Sequence, residues 1–377
     1  MDVAAFTDHA WGKLIPAPEG YPAFVPDPAP RRLDLFDGTI ALLDQASNSL
    51  GVLQGVGRLL QNPHLLISPY LRREAVLSSR IEGTQTTMSD VYASELEQFG
   101  LVRSTDVREV TNYIRAHEYG LGSDLPLSLR LLRDLHRELM TGVRGRERHP
   151  GEFRTYQNYV GGTNGAEATY VGPPIPQMTE RLDDFERFIH DRTLRPLVQA
   201  AVIHYQFEAI HPFGDGNGRV GRLLVPLFLH ARGLLPQPLL YLSAYFERTR
   251  SDYYARLMRV STHGDWNGWI GYFLRGVDEQ SQEAIELADN LLALQARYRE
   301  ELHAKHATTN ALALIDALFM NPLVSTRRAQ AVLGVSPPTA RSTIKGLQQH
   351  GVLREISGRT WGKVFRADEI DVLLRGD

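Results

Sequence analysis

The 377-residue chain contains no cysteine. That absence excludes disulfides, a thiolate nucleophile and any cysteine-ligated zinc centre, and leaves the cellular compartment open. An excess of charge of one sign is also lacking: 41 Lys and Arg stand against 44 Asp and Glu, a net charge of −3. A whole-surface attraction to nucleic acid or anionic membrane is excluded, so any basic surface must be local. Long apolar runs are missing too. The most apolar stretch, residues 223–242, is broken by prolines, His230 and Arg232, so no transmembrane helix and no membrane partner are expected. The first residues, Met-Asp-Val-Ala-Ala-Phe-Thr-Asp, have neither the basic start nor the apolar stretch of a signal peptide. The expectation is a cytoplasmic enzyme. What is present is a globular balance, 43% hydrophobic and 23% charged, over a length that suits two or three units.

Six prolines between residues 16 and 30 read as an extended arm on the surface. Apolar positions then recur at helical spacing from Leu33 to Leu60. Ser68-Pro69 carries the signature of a helix start, with Ser as N-cap and Pro at the first position; that helix should end at Gly83. Helical periodicity continues through 86–120, 126–140, 178–191 and 196–210. Residues 150–176 break it, with glycines and prolines around two β-prone runs, Thr155–Val160 and Ala168–Val171. They read as a hairpin or flap, the one β element expected in a helical body. A helix with a kink at Pro226 starts at Arg219, further helices cover 243–303, and residues 304–310 read as a linker.

Residues 211–222, His-Pro-Phe-Gly-Asp-Gly-Asn-Gly-Arg-Val-Gly-Arg, carry the chemistry. Gly216, Asn217 and Gly218 precede a helix whose free N–H groups attract anions. Arg219 and Arg222, three apart, project from one face of its first turn and suit the β- and γ-phosphates of a nucleotide. Asp215 offers the hard oxygen that Mg²⁺ bridging phosphates requires. His211 can accept a proton near neutral pH, and Phe213 reads as a core anchor for the loop. A chance match at nine such positions has a probability on the order of 10⁻¹¹ per start site, which rules out coincidence.

With every defining position matched, this stretch resembles the signature of Fic-domain proteins. Gln206-Phe207-Glu208-Ala209-Ile210 is similar to the family's lead-in helix, Gln157–Gly162 to its flap and Tyr253-Tyr254 to its helix after the motif. The resemblance covers roughly residues 65–285. It implies a mainly α fold, a helical Fic core with a β-hairpin flap, and transfer of AMP from ATP to a Ser, Thr or Tyr hydroxyl of a protein, with release of pyrophosphate. His211 would be the base and Asp215 the Mg²⁺ ligand. Asn217 and the N–H groups of Gly216 and Gly218 would cradle the α-phosphate, and Arg219 and Arg222 the β- and γ-phosphates. The flap around Val160 and Gly161 would border the nucleotide and pair with the target strand to strand. Tyr253 and Tyr254 either line the nucleotide pocket or belong to the core. Self-modification and assembly of several copies are compatible with the same resemblance. Family members that phosphorylate carry lysine where Gly218 stands, which favours nucleotidyl transfer here. Phosphocholine transfer stays open.

Upstream, Ser78-Ser79-Arg80-Ile81-Glu82-Gly83 fits a pattern, [Ser/Thr]-x-x-x-Glu-[Gly/Asn], expected about 0.3 times by chance in such a chain. Alone it reads as a solvated carboxylate. Ahead of a complete motif it resembles the family's inhibitory helix, about residues 69–83. Ser78 and Glu82 share a helix face, and a carboxylate delivered to Arg222 would occupy the γ-phosphate slot. An autoinhibited enzyme is implied. A hydrolase that removes AMP, with Glu82 positioning water, and a nucleotide-sensing DNA-binding regulator are the alternatives; the intact His211 argues against the second.

Residues 312–319, 326–333 and 337–350, with Val352–Glu355 and Val364–Arg366, resemble a winged helix-turn-helix domain. Between 325 and 366 eight Lys and Arg face one acid, Glu355, a local charge of +7 (8 − 1). Arg341 and Lys345 fall on the second helix. DNA contact and protein docking stand as equal alternatives. The expected division is an N-terminal region 1–95, a Fic core 96–285 with its flap at about 150–176, and a winged helix-like domain 306–377.

Overall fold

The computed structural model describes residues 1–59, 63–96, 105–143 and 149–375. The helical expectations at residue 60 and at 97–104 fall outside them. After a 3₁₀ turn at Val3–Ala5, the elements in order are β1 (Gly12–Pro16), β2 (Pro22–Pro26), α1 (Asp37–Leu59), α2 (His64–Ile81), α3 (Met88–Glu95), α4 (Thr105–Gly122) and α5 (Leu129–Met140). The flap strands β3 (Tyr159–Val160) and β4 (Tyr170–Val171) precede α6 (Ile175–His190), α7 (Pro196–Ile210) and α8 (Asn217–Ala231). Then come α9 (Ser243–Arg248), α10 (Arg250–His263) and the 39-residue α11 (Trp266–Ala304). The chain closes with α12 (Thr309–Met320), β5 (Leu323–Ser325), α13 (Thr326–Leu333), α14 (Pro337–Gln349), β6 (Arg354–Glu355), β7 (Val364–Arg366) and α15 (Asp368–Arg375).

The N-terminal arm is a hairpin. β1 and β2 pair antiparallel with Leu14 opposite Phe24, and the prolines sit at strand ends, where a missing N–H breaks few ladder bonds. Ala23, Phe24 and Val25 are buried, and β2 packs on β4 and α7. This corrects two expectations: the segment is not an arm lying on the surface, and the flap is not the one β element. The flap's strands are also shorter than its β-prone runs.

The inhibitory-helix start is corrected as well. α2 begins at His64, five residues before Pro69, which lies inside the helix. The apolar face of α2 continues upstream through the buried Leu66, and that packing outweighs the hydrogen bond the proline forgoes. The stop falls as the residues indicate: Glu82 caps α2 and Gly83 takes a left-handed φ of +91°.

Two helices form the centre. Nearly every residue of α7 and α8 is buried, polar ones included, so their mutual packing fixes the loop between them. α11 runs along α1 and meets α12 and α15 further on. In the C-terminal segment β5, β7 and β6 form one antiparallel sheet beside α13 and α14; β5 and α15 go beyond the expected elements. One apolar core runs from Ala29 to Leu374, with α12 and α15 resting on α2. Among the described residues no helix is long and apolar enough to cross a membrane.

Candidate active site

The α7–α8 loop carries the motif and is fixed from within. His211 caps α7 at a left-handed φ of +50°, and Gly216 precedes α8 at +76°, a conformation for which glycine has no steric penalty. The Asn217 side chain accepts the Phe213 N–H at 2.8 Å and donates to the Phe213 carbonyl at 2.8 Å. It therefore braces the loop with both ends of its amide. Phe213 is fully buried and stacks on the His136 ring at 3.9 Å.

Several bracing residues escape sequence reasoning. His136 of α5 reaches the Asp215 carbonyl through Nε2 at 3.0 Å, while its Nδ1 accepts the Gly151 N–H at 2.9 Å. Burial, with only a backbone bond opposing it, lowers its pKa to about 4, so it bonds as a neutral imidazole. Arg154 donates to the carbonyls of His211 at 3.0 Å and Pro173 at 2.5 Å, and Asn158 donates to Phe213 O at 2.9 Å. These groups tie the base of the flap to the loop. A histidine on the apolar face of α5 and a buried arginine after Gly151 were the available signals, and neither is specific.

His211, Gly218, Arg222, Tyr253, Tyr254, Val160 and Glu82 all border one cavity of about 680 Å³. Burial first, and then the Arg154 guanidinium, hold the His211 imidazole down to about 4. Its Nδ1 faces the Glu208 carbonyl at 3.3 Å; a proton kept there leaves the Nε2 lone pair available. Tyr253 is buried and bonds His204 at 2.8 Å through its hydroxyl, whereas Tyr254 is 43% exposed. One of the pair is therefore core and wall together, and the other is wall alone. β3 bonds β4 along one edge, and its Tyr159 and Val160 side chains are exposed. Gly161 follows the strand at φ +72° and does not border the cavity.

Arg222 is the most engaged of these groups. Its Nε donates to Ser78 Oγ at 2.8 Å, and its Nη2 donates to Ser78 O at 3.0 Å and to Glu82 Oε1 at 2.6 Å. Burial alone would raise the Glu82 pKa, but the Arg222 charge beside it prevails and holds it below the usual carboxylate range. Both residues singled out on α2 thus meet the motif's last arginine. A Cβ on Gly218 would meet the Glu82 carboxylate and the Arg222 guanidinium, so the pair lies directly against the first turn of α8.

Arg219 lies apart from this group. Its guanidinium turns towards Glu109 of α4 at 3.5 Å, buried and away from the cavity wall. Asp215 is nearly half exposed and accepts the Gly216 N–H at 2.6 Å. Among the described residues no cluster of three or more His, Asp or Glu side chains stands ready for a metal. That donor set fits Mg²⁺ brought in with phosphates, which takes one or two carboxylates and completes its shell with phosphate oxygens and water; it does not fit a preformed zinc cage.

Two family models match the chain: the Fic/DOC family N-terminal over residues 40–122 and the Fic/DOC family over 126–229. Protein adenylyltransferase Fic of Drosophila melanogaster is 26% identical over 260 residues, 68% of this chain and 48% of that protein. Its counterpart in Drosophila persimilis is 26% identical over 68% of this chain and 46% of its own length. The chain therefore spans about half the length of these relatives. Among solved structures, a Fic family protein from Desulfovibrio desulfuricans G20 superposes with a TM-score of 0.58 at 21% identity, covering 89% of this chain and 97% of that one. Fic-1 (residues 134–508) from C. elegans gives 0.54 at 23% identity over 67% of this chain and 74% of that one. At such identities the likeness is one of fold. A helical protein with a glycine-rich loop between two central helices is the class that fold and loop define. Residues 40–122 match the family's N-terminal domain and residues 126–229 the Fic/DOC family domain itself.

Proposed function

We propose that the protein is an autoinhibited protein adenylyltransferase that moves AMP from ATP to a Ser, Thr or Tyr hydroxyl of a protein, its own chain included. The observation that carries this reading is the convergence of His211, the start of α8 and Arg222 on one cavity, with Glu82 paired to Arg222 across it. The target hydroxyl oxygen attacks the α-phosphorus, the bond to the β-phosphate breaks, and pyrophosphate leaves. His211 takes the hydroxyl proton. The N–H groups of Gly216 and Gly218 stand where charge develops on the α-phosphate, with Asn217 keeping them in place. Arg222 takes the γ-phosphate once Glu82 withdraws. Asp215 would hold Mg²⁺, which supplies charge neutralisation along the phosphates. Arg219, turned to Glu109, serves as a buttress beneath the loop and reaches the phosphates by rotating. The exposed edge of β3 takes the target segment by strand addition.

The depressed His211 pKa has a readable consequence. An imidazole that gains its proton only near pH 4 remains a competent base throughout the acidic range above it. The acid limb of the pH–rate profile of the Glu82→Gly enzyme is expected at or below about pH 4, because the Glu82 charge raises the His211 value and the substitution removes it. A limb at the ordinary histidine value of about 6.5 would exclude His211 in this environment as the base.

We further propose that residues 306–375 form a winged helix-turn-helix unit that contacts duplex DNA. Arg328, Arg341, Lys345 and Lys363 are exposed there, and Trp361 in the β6–β7 loop is 88% exposed. The sequence count of +7 overstates the patch, because Asp368 beyond the counted window binds Arg354 at 2.5 Å and Arg366 at 2.5 Å. Four phosphate contacts give a slope of log K against log salt of about −4. Gel shifts on random duplex should show that slope, falling to about −2 in an Arg341→Ala, Lys345→Ala variant. No shift at low salt would favour protein docking.

A further inference from the structure

Glu208 is a carboxyl group in the cavity wall that the transfer chemistry leaves unused. It stands on α7, and its Oε1 has no hydrogen-bond partner. That oxygen lies against the backbone of α8 at Gly221, where any Cβ would collide with it. Arg222 is already engaged by Ser78 and Glu82. The other ionisable groups that act on Glu208 are Glu82, Tyr170, Tyr253 and Tyr254, none of them a cation. Burial pushes its pKa up to about 7.

The place of Glu208 along the cavity gives it a task. His211 and the start of α8 mark the phosphate end. The opposite end is apolar, walled by Leu257 and Met258, with Tyr205 bonding Ser261 at 3.0 Å. A flat base suits that end. Glu208 lies three positions before His211, the cap of α7, and Tyr205 three positions before Glu208, each step about 4.5 Å along the axis. In a nucleotide the sugar joins the α-phosphate to the base, so it falls beside Glu208.

We infer that Glu208 recognises the ribose of the bound nucleotide, the carboxyl oxygen that is not packed against Gly221 accepting hydrogen bonds from the 2′- and 3′-hydroxyls. Acceptor capacity survives in either protonation state: ionised, the group accepts both hydroxyls, and neutral, it accepts one and donates to the other. The site therefore selects ribonucleotides over deoxynucleotides. The inference rests on the nucleotide reading of the cavity.

Calorimetric titration of the full chain carrying Glu82→Gly and His211→Ala, in which no transfer follows binding, tests it with Mg²⁺ and ATP, 2′-deoxyATP and 3′-deoxyATP. One lost hydrogen bond gives weaker binding by up to about tenfold for each deoxynucleotide. Adding Glu208→Ala removes both bonds, so ATP should weaken by more than either deoxynucleotide does with Glu208 in place, and all three should bind alike. Glu208→Gln, which keeps an acceptor oxygen, restores part of the preference. Equal affinities for all three nucleotides with Glu208 in place overturn the inference and leave the nucleotide reading standing. Binding of none of them overturns the nucleotide reading itself.

Discussion

Replacing Glu82 with Gly is expected to raise self-labelling from ATP tagged on its α-phosphate by about 10- to 100-fold. A charge-assisted hydrogen bond contributes ~1.5–3 kcal/mol, which converts to about 10- to 150-fold. The Glu82 side chain is about a third exposed, so solvent screening places the effect in the lower part of that range. The change should leave Arg222 where it is, because Ser78 holds its Nε and Nη2 independently. Only the slot opens. Labelling is measured against a thermal melt of the same variant, since a general loosening of α2 would lower its melting temperature along with any gain. Unchanged labelling with an unchanged melt removes Glu82 as the brake.

Replacing His211 with Ala in the Glu82→Gly background is expected to lower transfer by about 10²- to 10⁴-fold, the usual contribution of a positioned base, while ATP affinity changes little. The loop does not depend on the imidazole for its shape. Asn217, Asn158, Arg154 and His136 hold it through backbone atoms and through Phe213. His211 does sit at a left-handed φ, where alanine carries a penalty of about 1–2 kcal/mol. A His211→Asn variant, suited to that region, separates loss of the base from loop strain. Loss of transfer and of ATP affinity together in both variants would make His211 a structural residue.

The elements that sequence makes legible are those whose signals are local. Gly83 after α2 and the glycines of the loop each act within a few residues, and the structure agrees with them. What sequence hides depends on partners far along the chain. Pro69 looks like a helix start because its effect is read locally; the packing of Leu66 into the core overrides it. The hairpin β1–β2 hides behind its prolines, and Phe24 belongs to a strand because β4 and α7 cover it.

The site divides the same way. Ser78, Glu82 and Arg222 are named by two motifs about 140 residues apart, and three hydrogen bonds join them. His136 and Arg154 support the loop from positions no motif marks, and Asn158 does so from within the flap stretch. Arg219 has the right spacing for phosphate, yet its surroundings include Glu109, brought in by α4. A charge count over residues 325–366 likewise missed Asp368, two residues beyond its window.

The central claim is that Arg222 serves either Glu82 or the γ-phosphate of a nucleotide whose α-phosphate is attacked. The most direct measurement compares the Glu82→Gly protein incubated with Mg²⁺ and ATP labelled on the α-phosphate or on the γ-phosphate, with mass spectrometry of the labelled chain. The expected result is strong labelling from the α-label, an AMP adduct on a hydroxyl side chain and no γ-label, with the unsubstituted protein weakly labelled. Incorporation of the γ-label, or equal α-labelling with and without Glu82, would contradict it.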